Sequence, residues 1–305
     1  AVTDIINVGS LDTNQILQIT ASAEKGSEHP LGTAMVKAAE EKNLVFSQII
    51  HFQAIPGHGI EAIIDGRKIY LGNRQLMSVQ KITLSGLVEE KMQKLEENGK
   101  TVMILAVDGI IEGLIAVADT LKENSAVAVS TLQKMGFRVL MITGDNWRTA
   151  KAIAKLIGIQ DVLAEVLPEN KALEVKKLQQ QGKIVAMVGD GINDAPALTQ
   201  ADVGIAIGSG SDIAKEAGQI VLVKEDLRDI IHAFDLSKKT MRKIKENLFW
   251  AFIYNALGVP LATGILYPWF KFLVSPELAA LFMAFSSVSV TLNTLLLRRY
   301  KLKTI

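Results

Sequence analysis

Cysteine is absent from the 305-residue sequence. That excludes a disulfide framework and any metal site built from thiolates of this chain alone. Net charge is nearly absent too: 33 lysines and arginines oppose 32 acidic residues, leaving +1. No strong field draws such a chain to nucleic acid, and none is expected as a partner. The opening AVTDIINVGS has no basic segment followed by an apolar core, so it does not read as a signal peptide. It also has no initiator methionine, and a processed chain or a fragment is the expectation. No internal repeat, linker or low-complexity tract stands out.

Charge is also missing locally. The stretches 247–270 and 278–297 contain no charged residue, and about 20 apolar residues suffice to cross a bilayer core. Lys238, Lys239, Arg242, Lys243 and Lys245 precede the first stretch. Arg298, Arg299, Lys301 and Lys303 follow the second, and the connector carries only Lys271. The positive-inside rule then predicts a transmembrane helical hairpin, with spans at about 247–267 and 277–297 and both ends cytoplasmic. The alternative is a buried hairpin in a soluble protein, for which paired basic flanks would serve no purpose.

What is there divides into three regions, as the length also suggests. Region 1–117 contains IEAIIDGRKIYLGN (60–73) and TVMILAVDGIIEGLIAVA (101–118). Asp65-Gly66 and Asp108-Gly109 fit type I′ hairpin turns between apolar strands. Helical patterns run through NQILQITASAEKG and LVEEKMQKLEENG, with Gly26 and Gly99 as stops. An α+β unit with an antiparallel sheet is expected. Region 118–235 alternates helices at about 121–135, 147–157 and 169–180 with the short apolar strands FRVLMI, DVLAEV, KIVAMV, ADVGIAI and QIVLV. That pattern predicts an α/β parallel sheet covered by helices. Region 236–305 is a basic helix leading into the hairpin.

In a parallel sheet, ligands sit at the carboxyl ends of the strands. Three polar clusters fall there: Thr143-Gly144-Asp145, then Pro168 with Lys171, then Gly189-Asp190-Gly191-Ile192-Asn193-Asp194. Together they suit phosphoryl transfer, which needs positioning and charge neutralisation more than covalent work. Thr143 and the glycine amides can hold phosphoryl oxygens, Lys171 can neutralise charge, and Asp190 can hold Mg2+. Asn193 and Asp194 can support phosphate and metal. Taken singly, Thr143-Gly144-Asp145 also fits a strand-to-helix turn with Asp145 as N-cap, and Lys171 fits a solvated helix position. A nucleophilic carboxylate on another strand of the rim is expected to come from outside this chain, because Asp119 reads as the N-cap of the next helix.

These segments resemble the P-type ATPases, ion pumps with a haloacid-dehalogenase-like phosphorylation domain. MITGDN (141–146) and VGDGINDAPAL (188–198) are similar to two of the family's signature segments. The phosphorylated Asp-Lys-Thr-Gly-Thr segment is not in the chain. SEHPLG (27–32), PGHGIEA (56–62) and LGNR (71–74) resemble the heavy-metal subclass. The resemblance implies that Glu28, His29, Gly57, Gly59 and Asn73 surround the adenosine of ATP, with 1–117 as the nucleotide-binding domain. Tyr254-Asn255 and Met283 with Ser287 match the membrane residues of copper pumps, and Met283 and Ser287 share a helix face. Thioether sulfur suits Cu+. Ordinary helix packing explains the same residues without a metal. A zinc or cadmium pump, for which a charged residue within a span is expected, is the narrower alternative.

The resemblance thus implies the C-terminal part of a Cu+ (or Ag+) exporter in a prokaryotic plasma membrane, using ATP and Mg2+. Residues 1–246 and 298–305 would be cytoplasmic. Its partners would be the lipid bilayer, the upstream actuator domain, membrane helices and Asp-Lys-Thr-Gly-Thr segment, and a copper chaperone. The chain alone is expected to bind nucleotide without completing turnover. A soluble phosphatase and a non-catalytic membrane-anchored nucleotide-binding fragment are the competing readings.

Overall fold

Two tight turns organise the first half of the chain. Asp65 and Gly66 have φ of 50° and 76°, and Asp108 and Gly109 have φ of 49° and 82°. Positive φ at both central positions is the requirement of a type I′ turn. The structure is a computed structural model and describes residues 1–26, 30–118, 121–189, 192–208, 216–265, 267–271 and 274–299. The turns join β3 (Gly59–Ile64) to β4 (Arg67–Gly72) and β5 (Thr101–Val107) to β6 (Ile110–Val117). With β1 (Val2–Asn7) and β2 (Ile49–Ile55) they form one antiparallel sheet in the order β1-β6-β5-β4-β3-β2.

Helices cover both faces of this sheet. On one face lie α1 (Thr13–Glu24) and α2 (Pro30–Glu41), and on the other α3 (Arg74–Val79) and α4 (Gly86–Glu97). The period-two alternation of a strand sorts the side chains between the faces. Met103, Leu105 and Val107 join Ile16, Leu17 and Met35, whereas Val102, Ile104 and Ala106 join Leu76, Met92 and Leu95. The central strands β5 and β6 are therefore nearly all apolar and buried on both faces, whereas the edge strands β1 and β2 keep exposed polar residues such as Thr3, His51 and Gln53. The helix ends follow local chemistry. Asp12 and Gln15 form a capping box before α1, and Ser85 caps α4. Gly99, with φ of 74°, follows the end of α4 as a helix-stopping glycine does.

The second half alternates as its pattern predicts. It runs α5 (Ser125–Lys134), β7 (Leu140–Ile142), α6 (Trp147–Ile157), β8 (Asp161–Leu163), α7 (Pro168–Gln180), β9 (Ala186–Gly189), α8 (Ala195–Gln200), β10 (Val203–Ile207) and β11 (Ile220–Leu222). Every pairing here is parallel. Two differences from the sequence expectation stand out. FRVLMI and DVLAEV each contribute only a three-residue strand. Among the described residues the strands also form two sheets, β7-β8 and β11-β10-β9, rather than one. Residues of β7 and β8 are consequently half-buried, because strands at the edges of so small a sheet lack neighbours to cover them. Asp119, read as a helix cap, lies outside the described residues.

Leu227–Ile305 is a separate compact unit. It contains α9 (Arg228–Ala262), α10 (Tyr267–Phe270) and α11 (Pro276–Leu295). The basic segment and the first apolar stretch form one continuous helix, α9, with Pro260 inside its last turn. Among the described residues one helix, Ala280–Arg299, is long and apolar enough to cross a membrane. A polar cluster ties α9 to α11. Asn293 Nδ2 donates to Asn247 Oδ1 (2.7 Å), Asn247 Nδ2 to Thr294 Oγ1 (2.8 Å) and Lys243 Nζ to Asn293 Oδ1 (2.8 Å). A chain of side-chain hydrogen bonds of this kind fixes the register of two apolar helices, whose side chains otherwise slide with little penalty.

Candidate functional site

The end of β4 and the β2–β3 turn build the first half of the site. Asn73 caps α3, its Oδ1 accepting from Leu76 N at 3.1 Å. Its Nδ2 donates to the Gly57 carbonyl at 2.9 Å, and its backbone N–H to the His58 carbonyl at 2.9 Å. Gly57, Gly59 and Asn73, far apart in sequence, thus meet in one loop cluster. Glycine is required at position 59. Its φ is 139°, and a Cβ there would fall 2.2 Å from the Leu71 carbonyl oxygen. A Cβ on Gly57 would meet the Leu167 side chain, so this loop abuts the segment just before α7. Asn73 itself is exposed, which leaves the cluster open to a ligand.

The second half of the site lies on the carboxyl-end loops of the parallel strands. Thr143 N–H donates to the Leu163 carbonyl (2.9 Å), Val166 N–H to the Thr143 carbonyl (3.0 Å) and Glu165 N–H to the Asp145 carbonyl (2.9 Å). The Thr143-Gly144-Asp145 loop is therefore laced to the β8–α7 loop. From the first turn of α7, Lys171 Nζ reaches Asp194 Oδ1 at 2.8 Å. Asp194 ends a short 3-10 turn, Ile192–Asp194. Gly189 has no side chain for a reason: a Cβ there would sit 2.7 Å from that of Asp194. Both members of the pair are largely buried, with side-chain exposures of 18% and 13%, and Asn193 beside them is exposed.

Asp145 is not the helix cap that its position allows. Asn146 holds that place, its Oδ1 accepting from Arg148 N and Thr149 N at 3.0 Å each. The Asp145 carboxylate is used otherwise. Oδ2 accepts from Thr143 Oγ1 at 2.8 Å, and Oδ1 accepts from Thr101 Oγ1 at 3.1 Å. Thr101 belongs to β5 of the antiparallel sheet, so the two halves of the site touch at Asp145. Next to it, Thr149 Oγ1 donates to the Lys100 carbonyl at 2.8 Å.

Ion pairs brace the same joint. Arg74, adjacent to Asn73, forks onto Glu89 (2.8 Å) and Glu96 (2.5 Å), and Arg148 of α6 lies 3.6 Å from Glu96. The Glu96 side chain is 1% exposed, so these arginines stand beside its carboxylate where water cannot. The hydrogen bond from Arg74 holds the Glu89 carboxyl below its usual range, against the opposing effect of partial burial. Thr101, Arg74, Glu96 and Arg148 were not among the residues the sequence pointed to. Their partners lie too far along the chain for a local pattern to show.

The remaining candidates are placed only in part. Glu28, His29 and Asp190 lie outside the described residues, and so does the side chain of Met283. Tyr254 and Asn255 are exposed on α9, where Asn255 Nδ2 donates to the Ala251 carbonyl of its own helix at 2.8 Å. Ser287 lies on α11, its carbonyl accepting from Thr291 Oγ1 at 2.9 Å.

Parallel strands with acidic, amide and lysine side chains at their carboxyl ends define a class, and sequence comparison agrees. Residues 2–202 match the haloacid dehalogenase-like hydrolase family, and the chain belongs to it. Within that family its relatives are P-type ATPases. The chain is 51% identical over 299 residues to a probable copper-exporting P-type ATPase of Archaeoglobus fulgidus, covering 98% of this chain and 36% of that protein. It is 50% identical over 291 residues to a copper-exporting P-type ATPase of Staphylococcus aureus strain Newman, covering 95% of this chain and 35% of that one. The chain thus spans about a third of the length of these relatives. Among solved structures it is similar to a zinc-transporting PIB-type ATPase in the E2.Pi state, with 33% identity and a TM-score of 0.66 over 97% of this chain and 47% of that one. It is also similar to the catalytic domain of the CPx-ATPase CopB-B, with 27% identity and a TM-score of 0.60 over 76% of this chain and 81% of that one.

Proposed function

We propose that this chain is the ATP-handling and C-terminal membrane portion of a Cu+-exporting P-type ATPase that works through an aspartyl-phosphate. The observation that carries the reading is the pair between Asp194 and Lys171, the latter on α7 directly after the loop that holds Thr143-Gly144-Asp145. In this reading residues 1–117 bind ATP through Gly57, Gly59, Asn73, Glu28 and His29. Residues 118–235 carry the phosphoryl site, and 236–305 supply the basic helix and two membrane spans. Regions 1–246 and 298–305 face the cytoplasm.

The chemistry follows from charge. Thr143 orients the Asp145 carboxylate, the Gly144 amide positions a phosphoryl oxygen, and Lys171 neutralises the charge that develops there. Asp194 holds the Lys171 ammonium in place, and Asn193 is exposed beside it for a polar contact with phosphate. The donor set of carboxylate, hydroxyl and amide oxygens fits Mg2+, a hard cation. Asp190 would hold it, and the ion would supply charge neutralisation between phosphate oxygens. The acceptor carboxylate belongs to an Asp-Lys-Thr-Gly-Thr segment upstream. Among the described residues β7 and β9 each have an edge without a strand partner, which supports this, since a strand carrying such a carboxylate needs a free parallel edge.

Copper is the transported ion in this reading, with Tyr254, Asn255, Met283 and Ser287 forming half of its membrane site. Two observations favour it over zinc. The copper exporters are 51% and 50% identical to this chain, whereas the zinc-transporting structure is 33% identical. Neither apolar stretch contains a charged side chain to hold a divalent ion.

The test uses the intact pump in sealed vesicles. Cu+ and Ag+ should stimulate ATP hydrolysis and acyl-phosphate formation, and Zn2+ should not. Stimulation by Zn2+ alone would overturn the metal assignment. Hydrolysis without any acid-stable, hydroxylamine-sensitive phosphoprotein would overturn the mechanism.

A further inference from the structure

The contact between Thr101 and Asp145 has no counterpart in the motifs of either half of the chain. We propose that Thr101 is a positioning residue for phosphoryl transfer, and that its hydroxyl lets the antiparallel sheet set the orientation of the Asp145 carboxylate. The inference rests on the reading of Asp145 as part of the phosphoryl site.

Three features of the geometry point this way. First, the Asp145 carboxylate is held from two sides, by Thr143 at 2.8 Å from within its own loop and by Thr101 at 3.1 Å from outside it. A loop carboxylate with one local tether still rotates about its side-chain bonds. A second hydroxyl from another element fixes its plane. Second, Thr101 is not itself free to follow Asp145. It opens β5, where it pairs with Val117 of β6, and from Ile104 onward the same strand is also paired to β4. Gly72, the last residue of β4, pairs with Ile104 of that strand, and Asn73 follows immediately. The strand that holds Asp145 is thus registered to the strand that ends at the proposed adenosine loop.

Third, the joint is anchored beside the contact and not only through it. Lys100 accepts from Thr149 through its carbonyl and pairs with Asp4 through its ammonium. Glu96, one turn earlier on the chain, faces Arg148. Adjacent residues of one segment therefore grip adjacent turns of the other. The anchors carry the load of holding the halves together, which leaves the Thr101 hydroxyl to act on Asp145.

The test uses the intact pump, with Thr101→Val, Thr101→Ser and Asp145→Asn. Valine keeps the branched shape and the strand preference but removes the hydroxyl. Acyl-phosphate formation is followed by rapid quench at saturating Mg-ATP and across ATP concentrations, with the thermal midpoint of each variant. Thr101→Val should slow the saturated rate by roughly tenfold, the kinetic weight of one hydrogen bond to a charged group. Its ATP KM and midpoint should stay close to those of the parent, and Thr101→Ser should recover most of the rate. A wild-type rate in Thr101→Val, a loss that serine does not recover, or a rise in KM alone each overturns the inference. If Asp145→Asn keeps the parent rate, the phosphoryl-site reading fails and the inference with it. If Asp145→Asn is inactive while Thr101→Val is not impaired, the site reading stands and only the inference falls.

Discussion

Lys171 Nζ lies 2.8 Å from Asp194 Oδ1, joining the first turn of α7 to the loop that follows β9. Each is mostly shielded from water, and each is the other's ion-pair partner there. Lys171→Met should lower acyl-phosphate formation in the intact pump by at least about a hundredfold, as removal of a charge-stabilising donor does elsewhere. It should also destabilise the chain by about 1–3 kcal/mol, because Asp194 is left partly buried without its partner. Rapid-quench phosphorylation and chemical denaturation in detergent separate the two effects. A variant with normal phosphorylation would remove Lys171 from the site.

Asn73 has two jobs that substitution can separate. Its Oδ1 caps α3 and its Nδ2 ties down Gly57. Asn73→Asp keeps the acceptor and loses the donor, so stability should change little while the KM for ATP rises. Asn73→Ala loses both, and should cost about 1 kcal/mol of stability as well. Equal KM values for Asn73→Asp and the parent would show that the Gly57 tether does not matter to nucleotide.

Gly59→Ala tests the close approach of β3 to β4. The added methyl meets the Leu71 carbonyl, and φ of 139° is unfavourable for any side chain. Destabilisation of about 3 kcal/mol or more is expected from strain and overlap together, read as a lower thermal midpoint. ATP binding should fall with it, because the same turn presents Gly57.

The Arg74–Glu89 pair predicts a pH dependence. The folded-state carboxyl of Glu89 is held below 4.5, its ordinary value, by the hydrogen bond from Arg74. Its contribution is therefore fully present above pH 4.5 and is lost as pH falls through the lower folded value. Glu89→Gln should lower stability near neutrality and flatten the acid limb of the stability profile. A parallel profile, displaced but equally steep, would assign the acid sensitivity to other carboxylates.

Much of this molecule is written locally. The Asp-Gly pairs dictate their own hairpins, because few residues tolerate positive φ at both central positions. Trp147–Ile157 and Pro168–Gln180 coincide with their sequence patterns almost to the residue, since helix periodicity, Asn146 and Pro168 act within one or two turns. The polar clusters at the strand ends were legible for the same reason. A run of apolar residues followed by glycine, aspartate and asparagine is costly to bury without a purpose.

Tertiary structure decided what is joined to what. Nothing near Asp145 in the chain announces that a threonine 44 residues away would hold it. Nor does Glu96 announce Arg74, 22 residues away, or Arg148 on a different layer. The number of sheets is likewise decided by pairing between distant strands, to which each short apolar run is indifferent. Backbone conformation and amphipathic faces are set by interactions within a few residues, which sequence displays directly. Partner choice depends on how the layers close on one another, and only the packed chain contains that information.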